Sequence, residues 1–377
     1  MQPKFTLRDI YGDNVLYTPR TPFSDNPWVV NDAHQLDALT SREVLFADVP
    51  VVVHSATQTE QAKALFKLAG LTPSDNVLTY ETEEQYHAHL QGSDTPVVCQ
   101  YLHEPNQIPR DRYWMDAEKF NELNCKSYID QLIDAKYVPK RFTVKLADAT
   151  ATIASMTLPI VLKPGGDDPT SGGYGVMICR TNEQVTEALR QLRKATTDTV
   201  VVEQLLAVKA NFSCQYVYNE TLGIQYLGAS EQLTDDEGHY QGNVMVRDVP
   251  KRVIEVGKHI MECGVDEGFV GVAGFDLIVT ETGDIQAIDL NFRQNGSTAM
   301  LMFKDSFKKP VAKFMSYVAT DNQKFHQNIT ALIKEGGLLP LAYYDGDYFE
   351  EDVKSRFYGV WYDDSLEQIE ARERLLQ

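Results

Sequence analysis

The stretch that most limits what this chain can fold into is Gly271 to Arg293, GVAGFDLIVTETGDIQAIDLNFR. Phe275, Leu277 and Val279 alternate with Asp276, Ile278 and Thr280, and the segment from Ile285 to Phe292 keeps the same period of two, so each side reads as a strand. Glu281-Thr282-Gly283-Asp284 supplies the turn between them. A tip at Thr282 and Gly283 sets Asp276 directly opposite Asp289 on one face of the hairpin. Asn291 and Arg293 follow Asp289 at steps of two and share that face. Carboxylates facing each other in a sheet repel, so the arrangement calls for a positive partner. Two carboxylates and an amide oxygen are hard ligands, too few to cage Ca²⁺ but suited to a Mg²⁺ that also takes phosphate oxygens. The competing reading is a solvated hairpin whose acidic residues blunt a sheet edge.

Upstream, the strand Ile160-Val161-Leu162-Lys163-Pro164 runs into a small-residue loop of Gly165, Gly166, Thr170, Ser171, Gly172, Gly173, Tyr174 and Gly175. Strand, glycine loop, strand is a phosphate-cradling pattern: glycines let backbone N–H groups approach closely, and Lys163 adds a point charge. The loop is not G-x-x-x-x-G-K-[ST], and a flexible turn is its simpler reading. Asp116 is a candidate cap for a helix through Phe120, Leu123, Tyr128, Ile129, Leu132 and Ile133, with Lys126 off the apolar stripe.

An amphipathic helix from Asn182 to Leu192 leads into Val200 to Leu206, and a strand pair follows at Phe212 to Val217 and Gly223 to Leu227. Ser230 to Arg247 is polar and turn-rich, as expected of a functional lid or a mobile connection, and contains His239 as a candidate base. Helices are expected from Lys251 to Gly264 and from Phe303 to Ala319, then strands around Tyr343 and Val360 and a charged terminal helix. Gln294 to Thr298, QNGST, reads as an anion-binding turn.

Before about Arg112, short apolar runs alternate with helical patterns, a parallel α/β arrangement without a G-x-G-x-x-G dinucleotide fingerprint. His87 and His89 read as surface residues. A net charge of -19 over 377 residues argues against nucleic acid or anionic membrane as a partner. Five scattered cysteines without a C-x-x-C pair indicate neither a disulfide framework nor a zinc site. The amino terminus lacks an apolar signal core, so a cytoplasmic location is expected.

In order and spacing, Lys126, the Lys163 strand with its glycine loop, Glu203 to Leu206, and Asp276, Asp289, Asn291 and Arg293 resemble the ATP-grasp superfamily. The resemblance implies a mixed α/β and α+β chain. A small Rossmann-like domain at 1–115 would precede an ATP-grasp domain at 116–334, with a lid at roughly 140–206 and a C-terminal α/β segment at 335–377. It implies ATP phosphates on Lys126 and Lys163 under the Gly172, Gly173, Tyr174, Gly175 loop, and adenine framed by Glu203, Gln204 and Leu206. Asn211 stands where many relatives place a glutamate against the ribose. Asp276, Asp289 and Asn291 would hold Mg²⁺, with Mn²⁺ as an alternative, and Arg293 would meet the transferred phosphoryl group or a substrate carboxylate.

The QNGST turn and the 230–247 segment are similar to parts of biotin-carboxylase-like amino-acid and peptide ligases, which implies substrate contacts at Asn295, Gly296, Ser297, Gln232 and Asn243. The implied activity is ATP-dependent carboxylate–amine ligation through an acyl phosphate, on small-molecule carboxylate and amine substrates, with a homodimer left open. The alternatives are a bicarbonate-activating, carboxylase-like enzyme and a nucleotide-binding protein without turnover.

Overall fold

Four short strands, β1 (Leu16–Thr18), β2 (Val51–His54), β3 (Val77–Tyr80) and β4 (Val97–Cys99), form a parallel sheet in the order β3-β2-β1-β4. The chain here is a computed structural model describing residues 1–92, 94–166, 170, 172–195, 197–234 and 240–376. Every residue of β2 is buried, which is why Val51-Val52-Val53 reads as a continuous apolar run rather than an alternation. The strand order reverses between β1 and β4.

A second, antiparallel sheet contains β5 (Arg141–Lys145), β6 (Ile160–Pro164), β7 (Met177–Cys179) and β8 (Thr199–Gln204), in the order β5-β8-β6-β7. It has its own core, in which Ile160, Leu162, Val200 and Val202 meet Val185, Leu189 and Leu192 of the Asn182–Lys194 helix. Trp28, from the amino-terminal region, inserts into this same core and ties the two parts together.

The largest sheet takes in β9 (Val208–Tyr218), β10 (Gln225–Thr234), β11 (Tyr240–Val246), β12 (Gly271–Thr280), β13 (Ile285–Asn291), β14 (Val311–Val318), β15 (Leu338–Tyr344) and β16 (Arg356–Asp363). Their order is β13-β12-β9-β10-β11-β14-β16-β15. Phe212, Cys214 and Tyr216 of β9 alternate with Ser213 and Gln215, so one face is apolar and the other polar. The apolar face packs under Val253, Val256, Ile260 and Met261 of the Lys251–Asp266 helix. Among the described residues no helix is long and apolar enough to cross a membrane.

Three sequence expectations change, and one strand is unanticipated. The helix capped by Asp116 stops at Asn124, because Cys125 turns extended (ψ 128°) before a new turn begins at Lys126. Phe303 to Ala319 is not one helix: a short helix ends at Met302, a 3-10 turn spans Lys304–Ser306 and β14 follows, where Ala312, Lys313 and Phe314 are buried in succession and mask its period of two. The polar 230–247 segment supplies the end of β10 and all of β11, paired at Gln232 with Asn243. β1, the strand at the strand-order reversal, has only three residues and gives no readable periodicity.

Candidate active site

The polar face of the large sheet forms the floor of the site, and the β12–β13 hairpin delivers its two carboxylates. Asp276 pairs with Asp289, Phe275 with Leu290 and Gly274 with Asn291. Nearer the tip the register moves by one, with Leu277 opposite Ala287. The turn is therefore one residue longer than a two-residue tip: Thr280 and Asp284 close it, and Gly283 takes the positive φ of 86° that it requires. A bulge at Ile288 absorbs the extra residue and restores the Asp276–Asp289 pairing. It also turns the Ile288 carbonyl to Lys163, whose Nζ donates to it at 3.0 Å.

Around the acid pair the structure gathers cations from three parts of the chain. Lys126 Nζ lies 2.6 Å from Asp289 Oδ1, and the break at Cys125 directs it inward; a continuous helix would have left it on the solvated side. Lys163 Nζ donates to Glu203 Oε1 at 2.9 Å. Arg293 donates to Asn124 Oδ1 and to the Thr170 carbonyl, and its guanidinium stacks 5.0 Å from the ring centroid of Tyr101 in the amino-terminal domain.

The two aspartates titrate in opposite directions. Burial, reinforced by the charge of Asp289, raises the Asp276 pKa above the carboxylate range. Burial opposes ionisation of Asp289 as well, but Lys126, Lys163 and Arg293 outweigh it and hold that group low. Asp276 Oδ2 accepts from Gln232 Nε2 at 2.9 Å, while its Oδ1 is buried without a hydrogen-bond partner among the described residues. Asn291 Nδ2 reaches Asp289 Oδ2 at 3.5 Å, leaving its own Oδ1 as a further oxygen donor. An orphaned carboxylate oxygen beside a second carboxylate and an amide oxygen fits a hard divalent cation that completes its shell with phosphate and water. No group of three or more His, Cys, Asp or Glu side chains suited to a metal occurs among the described residues.

The other expected residues divide into two sets. Glu203 is buried between Lys163 and Arg141, whose NH1 lies 3.7 Å away; its side chain thus orients the lysine, while the linker after it runs past Gln204 and Leu206. Gln204 turns its side chain to the carbonyls of Thr157 and Pro159. Asn211 Oδ1 accepts from the Gln232 backbone at 3.2 Å. Gly172, Gly173 and Gly175 all have positive φ, and the Gly172 carbonyl accepts from Tyr240 N at 3.1 Å, so the glycine loop touches the edge of the floor. Tyr174 on that loop is exposed.

Asn295 and Ser297 do not project into open space. Gln215 Nε2 donates to Asn295 Oδ1 and, at 2.6 Å, to Ser297 Oγ, while Thr298 Oγ1 donates back to Gln215 Oε1 at 2.8 Å. A Cβ on Gly296 would sit 2.1 Å from the Tyr240 hydroxyl, so the turn is clamped against the floor and Gly296 permits that contact. Asn243 donates to Ser230 Oγ at 3.0 Å and accepts from Tyr240. His239 lies outside the described residues.

Sequence reasoning missed Tyr101, Asn124, Arg141, Gln215 and Tyr240. The polar beat of Asn211, Ser213 and Gln215 against Phe212, Cys214 and Tyr216 was a usable signal for Gln215. Nothing local marks Tyr101 or Asn124, which reach Arg293 across more than 160 residues of chain.

Comparison with known proteins finds matches along the chain. Three models describing L-aspartate–L-methionine ligase match consecutive parts of the chain: its N-terminal domain over residues 6–121, its ATP-grasp domain over 139–291 and its C-terminal domain over 305–377. Among solved structures, carboxyaminoimidazole ribonucleotide synthase from Aspergillus clavatus, complexed with ATP, is similar with a TM-score of 0.59 at 12% identity, covering 97% of this chain and 98% of that one. L-amino acid ligase from Bacillus licheniformis gives 0.55 at 13% identity, covering 97% and 96%. Biotin carboxylase from Campylobacter jejuni gives 0.57 at 12% identity, covering 96% and 90%. At these identities the structures show a shared fold.

Proposed function

Because the chain belongs to the ATP-grasp carboxylate–amine ligases and matches L-aspartate–L-methionine ligase in all three of its parts, we propose that it joins L-aspartate to L-methionine, with conversion of ATP to ADP and phosphate. The observation that carries this reading is the convergence of Lys126, Lys163 and Arg293 on a directly opposed Asp276–Asp289 pair. An oxygen of the aspartate carboxylate attacks the γ-phosphorus, ADP leaves, and an acyl phosphate forms. The methionine amine then attacks the acyl carbon, loses a proton, and phosphate departs with one of the original carboxylate oxygens.

Phosphoryl transfer asks for positioning and charge neutralisation rather than covalent help from the protein. In this reading Lys126 and Lys163 hold the phosphates and Gly172 to Gly175 cover them. The linker from Glu203 to Leu206 frames adenine, and Asn211 lies toward the ribose. The buried Glu203 fixes the direction of Lys163, and Arg293, braced by Tyr101 and Asn124, meets the carboxylate as it is phosphorylated. Asp276, Asp289 and Asn291 are the groups that would hold Mg²⁺, which when bound neutralises phosphate charge. The sheet bearing β5 to β8 acts as the lid that keeps water from the acyl phosphate.

The test is to incubate purified protein with Mg-ATP, L-aspartate and L-methionine, following ADP and identifying products by mass. One dipeptide per ADP is expected, and hydroxylamine in place of methionine should yield aspartyl hydroxamate. ADP release that requires bicarbonate, with neither product formed, would replace this reading with the carboxylase-like one.

A further inference from the structure

The turn between the Ala33–Ala38 helix and β2 carries three consecutive buried polar residues. Among the described residues each has an atom without a hydrogen-bond partner: Ser41 Oγ, Arg42 Nε and Glu43 Oε2. Arg42 and Glu43 are 8% and 2% exposed. Their mutual contact, Arg42 NH2 to Glu43 Oε1, is 3.5 Å, longer than a good charge-assisted hydrogen bond. Gln100 Nε2 touches Glu43 Oε1 only at 3.4 Å, being better bonded to Tyr17 at 2.9 Å. A buried ion pair kept for structure has its remaining donors and acceptors satisfied. This one has an unused edge on each member.

Its position is informative. Tyr17 belongs to β1 and Gln100 follows β4, so the pair sits at the carboxyl ends of the two strands between which the sheet order reverses, where open α/β sheets take ligands. The next residue, Tyr101, lies under Arg293. Two consecutive residues thus connect Glu43 to the phosphoryl site. From the other side Tyr240 feels the charges of both Arg42 and Asp276, and Tyr358 feels Arg42. The Arg42–Glu43 pair therefore borders the site on the side of the amino-terminal domain.

A guanidinium beside a carboxylate, both withdrawn from water, complements a carboxylate beside an ammonium, the head group of an α-amino acid. An amino acid phosphorylated on its α-carboxylate keeps its own head group at Arg293 and the acid pair, so a second head-group site bordering them takes the amine donor, its nitrogen turned toward the acyl carbon. Resting on the ligase reading above, we propose that Arg42 and Glu43 bind the amino acid that supplies the amine, Arg42 on its carboxylate and Glu43 on its ammonium. Burial raises the Glu43 pKa to about 7, a value at which the carboxylate can also take the proton the amine must lose before attack.

The experiment compares three nucleophiles, L-methionine, L-methioninamide and hydroxylamine, against wild type, R42Q and E43Q. Hydroxylamine has neither an α-carboxylate nor an α-ammonium, and methioninamide lacks only the carboxylate. R42Q should lower kcat/KM for methionine by about 10- to 100-fold, the value of a charge-assisted hydrogen bond, and far less for hydroxylamine. Wild type should prefer methionine to methioninamide, and R42Q should erase that preference while E43Q keeps it. Equal losses for all three nucleophiles, or a raised KM for aspartate instead, would overturn the assignment. If R42Q does not fold, R42K serves in its place, since a lysine keeps the charge but not the fork. A wild-type protein that forms no hydroxamate would overturn the ligase reading itself, and the assignment with it.

Discussion

The same face of the eight-stranded sheet is apolar in one half and polar in the other. Where it meets the amino-terminal domain, Phe314, Val360 and Leu339 lie side by side on β14, β16 and β15 and are buried in a core shared with Phe46, Val51 and Val53. Toward the other edge, across β13, β12, β9 and β10, the aligned row is Asp289, Asp276, Ser213 and Ser230. The backbone alternation is identical; only the side chains differ. In the apolar half, another part of the protein completes the packing. In the polar half, Asp276 Oδ1 and Ser213 Oγ have no hydrogen-bond partner among the described residues, at a cost of roughly 1–3 kcal/mol each. Orphaned groups are not confined to that half, since Arg356 Nε on β16 also lacks a partner among the described residues; what sets the polar half apart is the opposed carboxylate pair with cations gathered around it.

The contrast is broken most strongly by Asp289→Ala. Loss of a ligand-binding carboxylate removes several kcal/mol of transition-state stabilisation, so turnover should fall by roughly 10³-fold or more. The melting temperature should fall, because the lost ion pair with the buried Lys126 outweighs the relief of repulsion on Asp276. Matched ADP-release and thermal-unfolding measurements check both. Phe314→Ala is the counterpart: truncating a fully packed aromatic should cost about 3–5 kcal/mol by denaturant unfolding, with kcat per folded molecule retained. If the two variants exchanged these effects, the division of the face would be wrong.

The pH dependence of the free protein sharpens the comparison. Asp276 is raised when folded, so it contributes stability that is full below the unfolded carboxylate pKa of about 3.9 and is lost as pH climbs toward its folded value. Asp289, held low, acts in reverse and loses its contribution only below that unfolded value. The stability of wild type relative to Asp276→Asn should therefore decline between about pH 4 and neutrality, and saturating Mg-ATP should flatten the decline. The contribution of Glu43, raised in the same direction by burial, should persist in Asp276→Asn.

The smallest effect belongs to the β5–β8 sheet, the proposed lid. Thr181 caps the Asn182–Lys194 helix with its side chain in a reciprocal capping box with Gln184. Thr181→Ala should cost about 1 kcal/mol, seen as faster hydrogen exchange confined to residues near 141–204.

Much of this arrangement was legible beforehand because strands announce themselves by alternation. The opposed aspartates were found from residue spacing alone, although a longer turn and a bulge at Ile288 had to cancel for the register to come out as expected. Lys126 was legible only by resemblance, since the break at Cys125 that aims it has no proline or glycine to mark it. β14 was misread as helix because Ala312, Lys313 and Phe314 are buried in succession, which hides the period of two. Arg42, Glu43 and Tyr101 were passed over for a different reason: they become a site only when the amino-terminal domain docks on the sheet, a contact between residues far apart in sequence.

The most direct test of the central claim follows the carboxylate oxygen. Aspartate labelled with ¹⁸O in its carboxylates is incubated with Mg-ATP, L-methionine and the enzyme, and the inorganic phosphate is analysed by mass. Passage through an acyl phosphate delivers one ¹⁸O to phosphate for each dipeptide formed, and Asp289→Ala should deliver none above background. Dipeptide accompanied by unlabelled phosphate would contradict the account.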